Sequence, residues 1–252
     1  MNEKIINEIV WWIPIKKLRN NIRELLLEVY HYNNTKNNIE KQLNRIINIH
    51  NITKYEIDCI LDYTMLIADH LENNNFDTSM FAPTPKYKRY VIKTYAQKFN
   101  CHTFVETGTY LGDTTYFAKD YFKTIYTIEL SKELFNKAVY RFKDLENIKV
   151  IHGDSSQELP KLLNNIYEKT LFWLDGHYCG NNTARALKDT PIMEELESIF
   201  KHKVKGHIIL IDDIRCFGIG DYPTIKEIED YTKSYNPNCS FEVKCDIARI
   251  LL

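Results

Sequence analysis

The sequence has no excess of charge of either sign. Its 252 residues carry 33 Lys and Arg against 34 Asp and Glu, so no general electrostatic pull draws the chain toward nucleic acid. No two of its six cysteines form a C-x-x-C pair. Neither a zinc site nor a disulfide framework is expected, and reduced thiols in a cytoplasmic protein are. No stretch approaches the roughly 18 apolar residues of a membrane span. The N-terminal run Ile9-Val10-Trp11-Trp12-Ile13 is short, is broken by Pro14 and lacks a small-residue cleavage site, so it does not read as a signal peptide. There is no internal repeat. Hydrophobic residues at 44% and charged residues at 27% remain. They suffice for one large α/β domain, alone or with a helical appendage.

Helical spacing dominates the first eighty residues. Leu18, Ile22, Leu25, Leu26 and Val29 form one stripe, Ile39, Leu43, Ile46 and Ile47 a second, and Ile57, Ile60, Leu61 and Leu66 a third. Thr53 three residues before Glu56 has the form of a capping box. Phe81-Ala82-Pro83-Thr84-Pro85 is a rigid connector. It sets the expected boundary between a helical cap or oligomerisation region, 1–85, and an α/β domain, 86–252. The stretch Ile39–Leu71 suits burial against a second subunit, as in a homodimer, or against the chain's own α/β domain.

Beyond residue 86 the pattern alternates. A helix over Lys86–Phe99 precedes β-rich runs at Thr103–Glu106, Thr124–Glu129, Ile148–His152, Leu171–Asp175 and His207–Asp212. Helical segments separate them at Thr114–Asp120, Lys132–Leu145, Gln157–Tyr167 and Pro191–His202. This alternation predicts a doubly wound parallel sheet. Two closely spaced runs, Phe241–Lys244 and Ile247–Leu252, predict a terminal antiparallel hairpin.

Each parallel strand ends in residues suited to chemistry. The first delivers Glu106-Thr107-Gly108-Thr109-Tyr110-Leu111-Gly112-Asp113-Thr114. This is an acid followed by a glycine turn, which lets the backbone pass close to a ligand and exposes free N–H groups of the next helix. The second ends at Glu129-Leu130, about twenty residues on, where an acid can accept both hydroxyl protons of a ribose. The third leads into Asp154-Ser155, the fourth into Asp175-Gly176-His177 and the fifth into Asp212-Asp213. Adjacent buried carboxylates are costly unless paired or bound to a cation.

In this order the five strand ends over residues 101–252 resemble the class I S-adenosylmethionine-dependent methyltransferases. The resemblance implies a seven-stranded sheet and a donor site built from Glu106, Thr107, Gly108, Thr109, Tyr110, Gly112, Thr114, Glu129, Leu130, Asp154, Ser155 and Asp175. Asp154 and Ser155 would then lie by the adenine. The acceptor end would hold Asp175, His177, Asp212 and Asp213, with His177 as the general base and Asp175 orienting it, contacting the donor or binding the acceptor. For a phosphoryl acceptor, His177, Arg185, Lys188 or Arg215 serve instead as charge partners. Some O-methyltransferases of related type hold a divalent cation such as magnesium through residues matching Asp175, Asp212 and Asp213, although this chain has Asp-Gly-His where they often show an Asp-Gly-Asp-His or Asp-x-x-His pattern. The run Leu174–Tyr178, continued through Asn182-Thr183-Ala184 to Lys188–Pro191, is similar to a branch of small bacterial and viral methyltransferases. Val10–Arg19 is similar to a stretch of capsule and lipopolysaccharide biosynthesis proteins. Together they imply O-methylation of a sugar or a phosphoryl or phosphoramidate group of a small-molecule or glycan precursor.

Two rival readings stay open at this level. A NAD-dependent sugar oxidoreductase would explain Glu129, but the third fingerprint glycine and a Tyr-x-x-x-Lys pair are missing. A non-catalytic methyltransferase-like scaffold would have little use for all five strand-end motifs.

Overall fold

Strand β4 (Thr170–Leu174) is buried at every position, and so is β5 (Ile208–Ile211). Strands without a solvent face need helices on both sides. The computed structural model describes residues 83–176 and 190–252, and these supply the helices. Around β4 and β5 the chain order is α1 (Pro85–Phe99), β1 (Thr103–Thr107), α2 (Asp113–Ala118), β2 (Thr124–Glu129), α3 (Lys132–Phe142), β3 (Ile148–His152), α4 (Ser155–Leu163), β4, α5 (Ile192–Lys201), β5, a 3-10 turn (Ile214–Cys216), α6 (Ile225–Tyr235), β6 (Ser240–Lys244) and β7 (Ile247–Leu251). The chain divides into two compact units, Met1–Tyr87 and Lys88–Leu252. No helix among the described residues is long and apolar enough to cross a membrane.

The sheet has seven strands in the order β3-β2-β1-β4-β5-β7-β6. Strands β1 to β5 are parallel, while β7 pairs antiparallel with both β5 and β6. This is the doubly wound sheet with a terminal hairpin expected from the sequence. The chain winds from β1 out to β3, then returns to place β4 on the other side of β1. Such a reversal opens a crevice at the carboxyl ends of the two central strands. The register aligns those ends. Thr107 lies beside Ile128 and Leu174, Glu129 beside His152, and Leu174 beside Ile211. Every motif that follows a parallel strand therefore emerges on one edge.

Side chains alternate across the sheet. Val105, Phe172, Leu174, Ile209 and Ile211 join Leu159, Leu196, Ile199 and Ile228 of α4, α5 and α6 in one core. On β1 the next side chain, Phe104, stacks on Phe122 at 4.9 Å. The hairpin turns on Cys245 and Asp246, both in the left-handed region at φ 46° and 62°. That is the twist a two-residue turn between antiparallel strands needs.

Several helix and strand ends fall one to four residues from their expected places. Helix α6 was not foreseen. Its signal is present: Thr224 accepts from the backbone N–H of Glu227, and the Glu227 side chain accepts from the N–H of Thr224, a complete capping box. The stripes and capping box expected in the first eighty residues lie outside the described residues. So do His177, Arg185 and Lys188.

Candidate active site at the carboxyl edge of the sheet

The turn after β1 is set by two glycines. Gly108 has φ +81°, and a Cβ there would lie 2.3 Å from the carbonyl oxygen of Asp175. Gly112 has φ +79°, and its Cβ would strike the Phe142 ring of α3 at 2.6 Å. The space a side chain would take is filled by the chain's own β4 exit and α3, so these glycines answer to packing as well as to conformation. Between them Tyr110 is exposed and also left-handed, at φ 48°. Thr107 binds the neighbouring strand end. Its carbonyl accepts from the N–H of Asp175 at 3.1 Å and its hydroxyl from the same N–H at 3.3 Å. Thr114 is half-buried in the first turn of α2.

Glu106 lies beneath this turn. It is 2% exposed, and its Oε2 accepts from the hydroxyls of Thr115 and Thr127. Thr127 spends its one proton there, so the 2.6 Å contact to Thr109 is a bond that Thr109 donates. Two hydroxyls thus meet the carboxyl and a third is chained to it through Thr127, which fixes α2 and the turn to β2. Burial, opposed by the Thr115 and Thr127 bonds and reinforced by the charge of Glu129, pushes the Glu106 carboxyl up to about 7. Between its ordinary 4.5 and about 7 the folded chain holds a proton that the unfolded chain has released. Stability from this group is therefore complete below pH 4.5 and is lost as pH rises through 7, by about 3 kcal/mol. Glu106→Gln, which cannot ionise, should lack that slope. Urea unfolding of both proteins at pH 4.5 and 8 checks it, and an unchanged difference between them rules the buried acid out. His207, which burial lowers to about 4, acts in the opposite sense and cancels in the comparison.

Glu129 ends β2 with both oxygens anchored. Oε2 accepts from the backbone N–H of Tyr110 at 2.8 Å, and Oε1 from that of Ser131 at 2.8 Å. Ser131 in turn caps α3 by accepting from Leu134 N, and Leu130 between them is half-buried. Glu129 is 5% exposed. An ionised carboxylate accepts about four bonds, so the two backbone bonds leave capacity for two vicinal hydroxyls. Those acceptor sites fit the hydroxyls of a ribose. After β3, Asp154 caps α4, accepting from the N–H and hydroxyl of Ser156 at 2.9 and 2.7 Å, and Ser155 is buried at the first helical position.

Beyond β4 and β5 the acids gather. Carboxylate oxygens of Asp175, Asp212 and Asp213 lie within 4.8 Å of one another. Oxygen ligands at this spacing are the kind that hard divalent cations take. The ammonium of Lys88, from the first turn of α1, already lies among them, 2.6 Å from Asp212 Oδ2 and 3.0 Å from Asp213 Oδ1. Arg215 adds a guanidinium 2.8 Å from that same Asp213 oxygen and pairs with buried Asp246. Burial works to lower the Lys88 pKa, but Asp212 and Asp213 outweigh it and hold it above its ordinary value, with Asp175 adding. Burial pushes Asp212 up to about 6 against the pull of Lys88, and Asp213 adds to the rise. The expectation that adjacent buried aspartates need pairing is met by residues of this chain. With Lys88 in place, the three carboxylates do not fit a divalent cation.

The structure thus brings Glu106 through Thr114, Glu129, Asp154, Ser155, Asp175 and Asp212 to one sheet edge. Sequence reasoning did not find Lys88 or Asp246. No local pattern marks either, since Lys88 meets its partners 124 and 125 residues away.

Neither a protein-family model nor a curated protein matches the sequence. Solved structures do match. An O-methyltransferase from Bacillus cereus in complex with S-adenosylhomocysteine superposes with a TM-score of 0.50 at 15% identity, over 83% of this chain and 96% of that one. This is the class I methyltransferase fold. The O-methyltransferase TomG from Streptomyces achromogenes, involved in tomaymycin synthesis and solved with S-adenosylmethionine, has a TM-score of 0.49 at 14% identity, over 66% of this chain and 78% of its own. An S-adenosylhomocysteine-bound methyltransferase from Podospora anserina has 0.47 at 16%, over 73% and 86%. Within the class I methyltransferase fold, the edge holding the Gly108 turn, Glu129 and the aspartates is the crevice where open α/β sheets bind ligands.

Proposed function

We propose that the chain is an S-adenosylmethionine-dependent methyltransferase acting on an oxygen of a small acceptor. The observation that carries this is Glu129, an acid held by two backbone N–H groups at the end of β2, beside the Gly108 turn. Glu129 takes the ribose hydroxyls, Asp154 the adenine edge, and the Thr107–Tyr110 turn the amino-acid end. Glu106 and Thr109 support that turn from below. When bound, the donor supplies a methyl group on a sulfonium, which carries its own activation. The protein's part is to orient the acceptor and remove its proton. His177 is assigned as the base and Asp175 as its orienting partner, with Asp212 on the acceptor side.

The acceptor we assign is a sugar hydroxyl or a phosphoryl or phosphoramidate oxygen of a surface-glycan precursor. The likeness of Val10–Arg19 to capsule-biosynthesis proteins supports that choice. A helical region over 1–85 would cap the site or join two copies of the chain.

Calorimetry decides between the methyltransferase and its rivals. One S-adenosylhomocysteine should bind per chain and NAD should not. Binding of NAD with no response to S-adenosylhomocysteine would turn the reading to an oxidoreductase. Binding of neither would leave the scaffold. Mass-spectrometric screening of capsule intermediates then identifies the acceptor.

A further inference from the structure

The acidic cluster at the ends of β4 and β5 is the place where a divalent cation is implied by resemblance, and it contains an ammonium. We propose that Lys88 is the resident cation of the Asp175, Asp212 and Asp213 cluster, doing by a tethered charge what a bound metal would do there. It is a positioning residue that holds Asp212 and Asp213 in place and keeps their negative charge from the acceptor.

The geometry leaves little room for another cation. Lys88 Nζ bonds one oxygen of each aspartate of the pair, at 2.6 and 3.0 Å. The other oxygen of Asp212 accepts from the backbone N–H of Asp213 at 2.8 Å. The Asp213 oxygen that Lys88 uses is also bonded by Arg215 at 2.8 Å. A magnesium ion about 2.1 Å from the Asp212 oxygen that Lys88 bonds would stand less than about 5 Å from the ammonium, where two positive charges repel. The lysine is also fixed. It belongs to the first turn of a 15-residue helix, and its side chain is only 20% exposed. Metal ions exchange with solvent, but this cation is covalently part of the chain.

Lys88's place in an acceptor pocket rests on the methyltransferase reading, whereas the test of its role as a cation does not. The full chain is titrated with Mn2+, and free ion is followed by its electron paramagnetic resonance. The natural protein should take up no Mn2+ up to about 1 mM, the weak end of oxygen-ligand sites. Lys88→Met, which keeps the stem and removes the charge, should bind one Mn2+ per chain at least about tenfold more tightly. Its thermal midpoint should rise with Mn2+ while that of the natural protein stays fixed. Stoichiometric uptake by the natural protein overturns the proposal, and this needs no variant. A folded Lys88→Met that takes up no Mn2+ overturns it too. If S-adenosylhomocysteine fails to bind while these Mn2+ results hold, the methyltransferase reading falls and the cation assignment stands.

Discussion

Replacing Gly108 by alanine is expected to destabilise the folded chain by about 2–5 kcal/mol, the sum of a left-handed backbone penalty and the overpacking of a filled site. The new Cβ would fall 2.3 Å from the Asp175 carbonyl oxygen and 2.8 Å from its carbon. Both are backbone atoms, so no rotamer change relieves the clash. They lie at the exit of β4, which is buried throughout and hydrogen-bonded on both sides. Gly220 is the control. It has a similar φ of +60° but nothing within 4 Å of its Cβ position, so Gly220→Ala should lose only the conformational part, about 1–2 kcal/mol. Urea unfolding of the two variants separates the contributions. Equal midpoints would show that the β1 turn and the β4 exit do not cross as described. Because the clash is with Asp175, any relaxation of Gly108→Ala must move the first residue of the proposed acceptor side. A folded variant should therefore lose acceptor binding along with donor binding.

That crossing explains why the five strand ends act as a unit. Thr107 bonds the N–H of Asp175, and Leu174 accepts from the N–H of Asp212 at 3.0 Å. On the other side, Ile128 accepts from the N–H of Gly108 at 3.0 Å and Glu129 from that of Gly153 at 3.0 Å. Each loop continues the ladder of its neighbour for one more bond. The candidate donor side over β1, β2 and β3 and the acid cluster over β4 and β5 are thus joined by backbone, a rigid support of the kind reacting groups require.

Much of this edge was legible because its signals are local. A run such as Leu171-Phe172-Trp173-Leu174, apolar at every position, reads as a strand covered on both faces, and the bounds of β2 and β3 match expectation. Gly108 and Gly112 announced a turn, and both adopt positive φ. What they make room for was not legible. Phe142 and Asp175 come from α3 and β4, and only the tertiary fold brings them there. The same holds for Lys88, a helix residue whose partners Asp212 and Asp213 follow β5. The hairpin was found from its two strands; its turn, Cys245-Asp246, is not one of the Gly-rich pairs that usually mark such turns. Helix α6 carried both a capping box in Thr224 and Glu227 and apolar residues at helical spacing in Ile225, Ile228, Tyr231 and Tyr235, so its signal too was local. His177 lies outside the described residues, and its role as base remains a proposal carried by the Asp-Gly-His run.

Glu129→Ala is expected to weaken S-adenosylhomocysteine binding by about 10- to 150-fold, the equivalent of about 1.5–3 kcal/mol for a charged hydrogen-bond partner. Two mechanisms would give that loss. Glu129 can hold the ribose directly, or it can act only by fixing the Tyr110 and Ser131 backbone, to which it is bonded at 2.8 Å on each side. Its 5% exposure makes the second mechanism a real competitor. A thermodynamic cycle separates them. The affinities of the natural protein and of Glu129→Ala are measured by calorimetry for S-adenosylhomocysteine and for its analogue lacking one ribose hydroxyl. If the carboxylate meets that hydroxyl, the two losses overlap, and the doubly altered pair loses less than the sum by about 0.5 kcal/mol or more. Purely additive losses mean that Glu129 serves the loop alone. The ribose assignment would then be abandoned, while the turn geometry around Gly108 would stand.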